Sequence, residues 1–323
     1  MARGNGAYIL HRLLEKHLVD YHVIPYNANL TLFPFSLTHI LAGNQAELIH
    51  TAATYSAFFY QPKIPMIITF HGYKLDRWIQ TYCSFFQRIH HKYIQRRLTR
   101  LAVEKAKYIT AVSGYIADLV KKDMEIDTPI KVIYNGVDTT RFIPKSSKGN
   151  EHNEVRIFFS GNLTHLKGAQ WLPAISKKLK KGCRIYYTQG LRTRKKLTRK
   201  DKLQSVGSIP FEKMPQRYRE MDILLMPTVR EGFGLSIAEG MACGLPVVAS
   251  NCSAVPELID DGHGGFLCPV GDVEAFAEKI NILADSAKLR REMGNYNRAK
   301  VEKKFRIDQM VNEYRKLFLE CLA

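Results

Sequence analysis

The sequence predicts an α/β protein built from two doubly wound, parallel-sheet domains. Three observations predict it. Short apolar runs alternate with helical periodicity in both halves of the chain, the pattern of parallel strands joined by helices. A stretch rich in polar residues, Asn135 to Glu154, separates the halves. The apolar run Ile223–Met226 passes through Pro227 and a glycine-rich turn into a helical pattern, Leu235–Cys243. A helix that opens beside the end of a parallel strand presents free N–H groups and the positive end of its dipole, which suits a phosphate.

In the first half a helical pattern runs through Ile9–Val19, and strands are expected at Tyr21–Pro25, Glu47–His50 and Met66–Phe70. Residues 85–107 read as a long basic helical stretch with an aromatic start. Tyr108–Val112 is a strand, Ser113 an N-cap, Ile116–Lys122 a helix and Lys131–Tyr134 a last strand. The second half begins with a strand at Val155–Ser160, then a helix over Ala169–Lys180 and strands at Arg184–Thr188 and Gln204–Val206. A helix at Met214–Glu220 precedes the Ile223–Met226 strand. Pro246–Ala249 is a further strand, and Val273–Ala284, Lys288–Phe305 and Asp308–Cys321 are helices. The domain limits are therefore 1–135 and 155–307, with a connecting segment over 136–154. The terminal helix, 308–323, is expected to return to the first domain.

The bulk composition narrows the class. Of 323 residues 46% are hydrophobic, enough for two cores, yet no run approaches the roughly 20 apolar residues of a membrane span. The first residues turn polar too soon for a secretion leader, so a cytoplasmic location is expected. Six scattered cysteines form no CxxC pair, which argues for reduced thiols and against zinc. A net charge of +18 favours an anionic partner. Much of it is local: residues 177–202 hold twelve basic side chains in 26 positions. No zinc-finger or RNA-recognition pattern accompanies the charge, so nucleic acid is the weakest of the anionic partners it would suit, behind phosphorylated substrates and an anionic membrane.

The candidate site centres on EGFGLSIAEGMACGLPVVAS, residues 231–250. Glu231 and Glu239 stand eight positions apart around Gly232 and Gly234. Phosphate-binding N–H groups at the helix start, flanked by two carboxylates, fit a ligand with hydroxyls on both sides of a diphosphate, such as a nucleotide sugar. In IFFSGNLTHLKGAQ, Gly161 ends a strand and would let a ligand approach the backbone. Lys167, six residues on, offers a cation. Singly these are commonplace surface residues; together and in order they are not.

The assembly resembles the retaining nucleotide-sugar glycosyltransferases of glycosyltransferase family 4. Its markers are ITAVSGYIAD, VIYNGVDTTRFIP, SGNLTHLKG, MPTVREGFGLSIAEGMACGLPVVAS, VPELIDDGHGGFLCPVGD and a terminal helix with Tyr314. The resemblance implies the GT-B fold, two Rossmann-like domains facing across a cleft. It also implies transfer of a sugar from a nucleotide diphosphate sugar to a glycan or lipid-linked acceptor, with retention and with neither metal nor cofactor. Asp260-Asp261 is no substitute for a metal motif.

Residue by residue, the resemblance implies that Glu231 accepts from sugar hydroxyls and Glu239 from ribose hydroxyls. Lys167 neutralises the leaving phosphate. Gly232, Phe233, Gly234, Leu235 and Ser236 shape the loop and helix start that meet the diphosphate. His71, in the His-Gly that ends the strand Met66–Phe70, is the catalytic candidate of the first domain, and His50 is a structural one. Where the family carries an Arg after Gly161, this chain has Asn162, and Arg192 or Arg194 is the expected replacement. No strand precedes Arg3, where the family opens with one: that strand is lost, lies upstream of the start or is replaced by another element, which leaves contacts by Gly4 and Gly6 unassigned and a sheet edge to be covered. The aromatic and basic stretch Phe85–Arg100 suits a peripheral, anionic membrane surface. Three other readings stay open: a GT-B sugar-nucleotide epimerase or phosphorylase, a non-catalytic sugar-nucleotide-binding or scaffold protein, and a basic nucleic-acid-associated protein.

Overall fold

Apolar runs that do not alternate with polar residues form strands covered on both faces, as in a parallel sheet between helix layers. Ile223, Leu224, Leu225 and Met226 are each 0% exposed, and every residue of Met66–Phe70 is buried. The computed structural model describes residues 6–41, 43, 45–145, 154–190, 197 and 202–323. The chain divides into two compact units, Met1–Asn135 with Asp308–Ala323, and Gly136–Ile307.

The first unit carries a four-stranded parallel sheet in sequential order: β1 (Ile49–Ala52), β2 (Met66–Phe70), β3 (Tyr108–Ala111) and β4 (Ile130–Val132). Ile49 lies opposite Met66, and Ile67 opposite Tyr108. The helices are α1 (Gly6–His17), α2 (Phe85–Ile89), α3 (Arg96–Lys105) and α4 (Gly114–Met124). Ser113 caps α4, its hydroxyl accepting from the Ile116 N–H at 3.2 Å. The terminal helix (Ile307–Leu322) joins this unit: Tyr314 is 0% exposed, and the Cys321 carbonyl accepts from Lys107 Nζ at 2.7 Å.

One expectation fails here. Tyr21–Pro25 is not a strand: the Val23 N–H donates to the Glu15 Oε1 side chain at 2.8 Å and the Tyr21 hydroxyl meets His50. The helical stretch expected from residue 85 runs unbroken to Lys105, with a wide π segment, His90–Gln95, between α2 and α3, and no residue from Phe85 to Gln95 is buried. The periodicity is helical, but no neighbouring element covers it.

The second unit holds a six-stranded parallel sheet: β5 (Val155–Phe159), β6 (Cys183–Tyr187), β7 (Leu203–Ser205), β8 (Ile223–Met226), β9 (Val247–Ser250) and β10 (Gly265–Cys268), in the order β10-β9-β8-β5-β6-β7. Its helices are α5 (Leu172–Lys178), α6 (Met214–Arg219), α7 (Leu235–Ala242), α8 (Val255–Leu258), α9 (Val273–Asp285) and α10 (Ala287–Lys304). The sequence carries no signal for β10 or α8, each four residues long and flanked by turn residues. The α7 axis lies so close to β8 that a Cβ on Gly240 would sit 2.6 Å from Leu224 Cδ2.

The connecting segment expected over 136–154 is, in its described part 136–145, integral to the second unit. Phe142 is 2% exposed, with ring centroids 6.1 Å from Phe211 and 6.0 Å from Tyr218. Val137 donates to the Phe305 carbonyl and accepts from the Ile307 N–H. A polar composition conceals these two apolar anchors.

Candidate functional site

From β5 the second sheet grows outward through β6 and β7, then resumes on the other side of β5 with β8, β9 and β10. The carboxyl ends of β5 and β8 are therefore where the winding reverses. The connections diverge there and leave a crevice, the usual ligand position of an open α/β sheet.

The loop after β5 carries Ser160, Gly161 and Asn162. Thr188, at the end of β6, clamps it: the Gly161 N–H donates to Thr188 Oγ1 and the Thr188 hydroxyl donates to the Gly161 carbonyl, both at 2.9 Å. A Cβ at position 161 would meet the Lys167 stem at 3.7 Å and Phe159 Cζ at 3.8 Å, ordinary contacts, so packing inside the unit does not demand glycine there. Asn162 packs against Gly190, whose φ is +69° and whose Cβ, if present, would lie 2.1 Å from Asn162 Oδ1.

Lys167 ends a short 3-10 turn, His165–Lys167. This turn is fastened to the loop after β8. The Val229 N–H and the Thr228 hydroxyl both donate to the Leu166 carbonyl at 2.9 Å. Gly168, at φ +73°, passes so near Pro227 that a Cβ would fall 1.7 Å from its carbonyl oxygen. The result is a direct ion pair: Lys167 Nζ lies 2.6 Å from Glu231 Oε1. Glu231 is 8% exposed, and its N–H donates to Ser253 Oγ at 2.8 Å.

Three residues beyond Glu231, Gly234 (φ +103°) opens α7 without a side-chain cap. The first N–H groups of the helix have no partner within it. Glu239 lies one turn along. Its Oε2 accepts from the Tyr218 hydroxyl at 3.0 Å, and burial pushes its carboxyl up to about 7, against the opposing pull of Tyr218 and Arg141. The structure thus gathers Gly161, Lys167, Glu231, the α7 N-terminus and Glu239 at the ends of β5 and β8. Gly232, Leu235 and Ser236 lie in that loop and first turn. Phe233 differs: its side chain is 3% exposed and meets Phe305 edge-on at 5.6 Å, so it is core. Arg192 and Arg194 lie outside the described residues.

His71 belongs to the first unit, where it follows β2. Its Nε2 is buried and has no hydrogen-bond partner in the structure, and burial pushes the ring down to about 4. It is therefore neutral near pH 7. It stands among other neutral imidazoles, its ring 5.5 Å from His11, which in turn is 4.6 Å from His50. His50 is a hydrogen-bonded core residue, its Nδ1 2.9 Å from the Tyr21 hydroxyl and its Nε2 2.7 Å from Thr69 Oγ1. Burial pushes it down to about 3.

Sequence reasoning misses Tyr218, Thr188, Ser253 and Arg141. Tyr218 sits at a buried helical spacing and reads as core. The other three are single polar residues with no local pattern. The basic run is also tamer than its composition suggests: Lys178 pairs with Glu274, Lys180 with Asp285, and Arg184 with Glu154. Asp260 is engaged by Tyr296 and Lys300. Among the described residues no cluster of three or more His, Cys, Asp or Glu is placed to hold a metal, and no helix is long and apolar enough to cross a membrane.

Comparison with known proteins agrees with this geometry. One family model, Glycosyltransferase Family 4, matches residues 2–141, and another, Glycosyl transferases group 1, matches residues 154–286. The N-acetyl-alpha-D-glucosaminyl L-malate synthase of Bacillus anthracis is 25% identical over 240 residues, 70% of this chain and 62% of that protein. The match thus spans less than two thirds of that relative. The sucrose-phosphate synthase of Thermosynechococcus elongatus superposes with a TM-score of 0.76 at 18% identity, covering 93% of this chain and 81% of that one. Anabaena HepE, solved in complex with UDP-glucose, superposes with a TM-score of 0.76 at 19% identity over 98% of this chain and 90% of that one. At such identities the likeness is one of fold, the GT-B fold. With one half matched by the model of Glycosyltransferase Family 4 and the other by that of Glycosyl transferases group 1, the chain belongs to the glycosyltransferases of this family.

Proposed function

We propose that the chain moves a sugar from a nucleoside diphosphate sugar to a glycan or lipid-linked acceptor, with retention at the anomeric carbon and without a metal ion. One observation carries the reading: the Lys167–Glu231 pair stands at the start of α7, with Glu239 one turn further on, where β5 and β8 diverge. Lys167 and the α7 N–H groups of Leu235 and Ser236 neutralise charge as it grows on the leaving diphosphate. Glu231 accepts from sugar hydroxyls and Glu239 from ribose hydroxyls. Both carboxylates are engaged by protein donors, which leaves neither as an obvious nucleophile. The reaction then passes through an oxocarbenium-like state, with a donor phosphate oxygen taking the acceptor proton. His71, neutral, serves the acceptor side through hydrogen bonds rather than charge. Arg192 and Arg194 remain candidates for added phosphate contacts.

Anabaena HepE is described in complex with UDP and glucose and with UDP-glucose, so UDP-hexoses are the first donors to test. Purified chain is incubated with UDP-glucose, UDP-N-acetylglucosamine, GDP-mannose and ADP-glucose, scoring released nucleotide with and without sugar acceptors. Turnover of one donor, insensitive to EDTA and giving a product of unchanged anomeric configuration by NMR, supports the reading. Binding without turnover of any donor overturns it in favour of a non-catalytic role.

For the acceptor, the exposed stretch after Trp78 favours a lipid-linked one. No acidic residue occurs from Arg77 to Val103, while Phe85, Phe86 and Tyr93 are 63%, 80% and 64% exposed. Arg88, Lys92 and Arg97 share the segment. Exposed aromatics among cations match an anionic bilayer interface. Co-sedimentation with phosphatidylglycerol vesicles but not phosphatidylcholine vesicles is expected. Equal binding to both, or to neither, removes the membrane from the proposal.

A further inference from the structure

Tyr218 is 0% exposed, packed between Phe142 and Phe158 with ring centroids at 6.0 and 5.3 Å. Its hydroxyl is buried at a junction. It lies 3.1 Å from Ser160 Oγ past the tip of β5, 3.2 Å from the Ser236 carbonyl in the first turn of α7, and 3.0 Å from Glu239 Oε2. One phenol proton thus faces three acceptors. Ser160 can turn its own proton towards the phenol oxygen. The Ser236 carbonyl and the Glu239 carboxyl then compete for the Tyr218 proton. An ionised carboxylate wins that competition, because charge-assisted bonds are about twice as strong as neutral ones. A protonated carboxyl is a poorer acceptor than a backbone carbonyl, and the proton then goes to Ser236.

We propose that Tyr218 is a positioning residue for donor binding: its hydroxyl holds the Glu239 carboxylate ionised and turned to receive the ribose hydroxyls, and swings to the Ser236 carbonyl when Glu239 is neutral. The inference rests on the reading of Glu239 as the ribose ligand. It goes beyond that reading by making nucleotide affinity depend on a residue that touches no ligand. It also ties the tip of β5 and the first turn of α7, the two sides of the crevice, to one proton. The other groups facing Glu239 are Arg141, from the segment ahead of β5, which favours the ionised form, and Cys243, at the end of α7. Burial outweighs both Arg141 and Tyr218 and leaves the carboxyl titrating near pH 7. Small changes in its hydrogen bonding therefore move its charge within the working range.

The test is calorimetric binding of UDP-glucose from about pH 5.5 to 8.5, a span in which its diphosphate diester does not titrate, with ADP-glucose and GDP-mannose alongside. In the wild type, affinity rises with pH through a midpoint near Glu239's own. Tyr218→Phe keeps the ring in its packing and removes only the hydroxyl. Its midpoint is expected about one pH unit higher, with affinity at pH 7 about fivefold weaker. Uniform weakening with an unmoved midpoint overturns the proposal, since that is all a merely structural hydroxyl would do. Should that variant fail to fold, Ser160→Ala reads the same network, with a smaller upward shift expected and an unmoved midpoint counting against it. Glu239→Gln separates the two claims. If it binds UDP-glucose as the wild type does at every pH, the ribose reading itself fails. If it flattens the profile while Tyr218→Phe leaves the midpoint in place, only the role of Tyr218 falls.

Discussion

Lys167 Nζ and Glu231 Oε1 are 2.6 Å apart across 64 positions of sequence. The pair exists because two loops, after β5 and β8, are sewn together at Leu166 by Thr228 and Val229. On the proposed mechanism it fixes a cation where the leaving phosphate would develop charge.

Lys167→Ala is expected to lower turnover by about 10²-fold or more while changing donor affinity less, because the lost interaction grows in the transition state. It also strands the carboxylate of Glu231, only 8% exposed, at a cost on the order of 3 kcal/mol. Initial rates and thermal melting check both. A raised KM at unchanged kcat would assign Lys167 to ground-state binding alone.

Gly168→Ala places a Cβ 1.7 Å from the Pro227 carbonyl in a backbone at φ +73°. Strain and forced separation of the two loops should cost about 2–4 kcal/mol and pull Lys167 from Glu231. Denaturant unfolding measures the first and donor binding the second. Gly182, also at positive φ (+84°) but with open space around it, is the control, with a smaller loss.

Acid should weaken the first unit. His11, His50 and His71 are all held below their ordinary value, mainly by burial, with His50 at about 3 and His71 at about 4. The unfolded chain binds protons near pH 6.5 that the folded unit does not. Stability is therefore full above about pH 6.5 and falls as pH drops towards 4, by up to about 1.4 kcal/mol per pH unit for each histidine. Denaturant titrations at several pH values, with hydrogen exchange to localise the loss, test this. His50→Gln should flatten the slope. Equal stability at pH 7.5 and pH 5 would show that the cluster is not the cause.

Phe85→Ser with Phe86→Ser should leave the melting temperature nearly unchanged, within about 0.5 kcal/mol, because neither ring is buried. Vesicle binding should fall at least tenfold. A large loss of stability would mean that these rings cover a partner element rather than lipid.

The strands and helices that are long and apolar are legible in the sequence to within a residue or two. Ile223–Met226 is an instance, as are α7, α9, α10 and the terminal helix. Lys167, Glu231 and Glu239 are legible because charge, glycine and helix start coincide there. Tyr218 is not, because a buried tyrosine and a core apolar residue share one periodicity. The segment Tyr21–Pro25 misleads for the opposite reason: its apolar content is real, but the Val23 N–H goes to Glu15 and the Tyr21 hydroxyl to His50. Asn162 is legible as a departure, while its packing on Gly190 depends on two loops meeting.

The terminal helix sets an order of events during synthesis. The second unit is contiguous, Gly136–Ile307, and can close as soon as it clears the ribosome. The first unit is made first yet lacks Tyr314, Leu317 and Cys321, all buried in the finished protein. Its aromatic and histidine core stays open at one side while more than a hundred further residues are translated. A released chain truncated after Ile307 should therefore show a protease-resistant second unit and a labile first one.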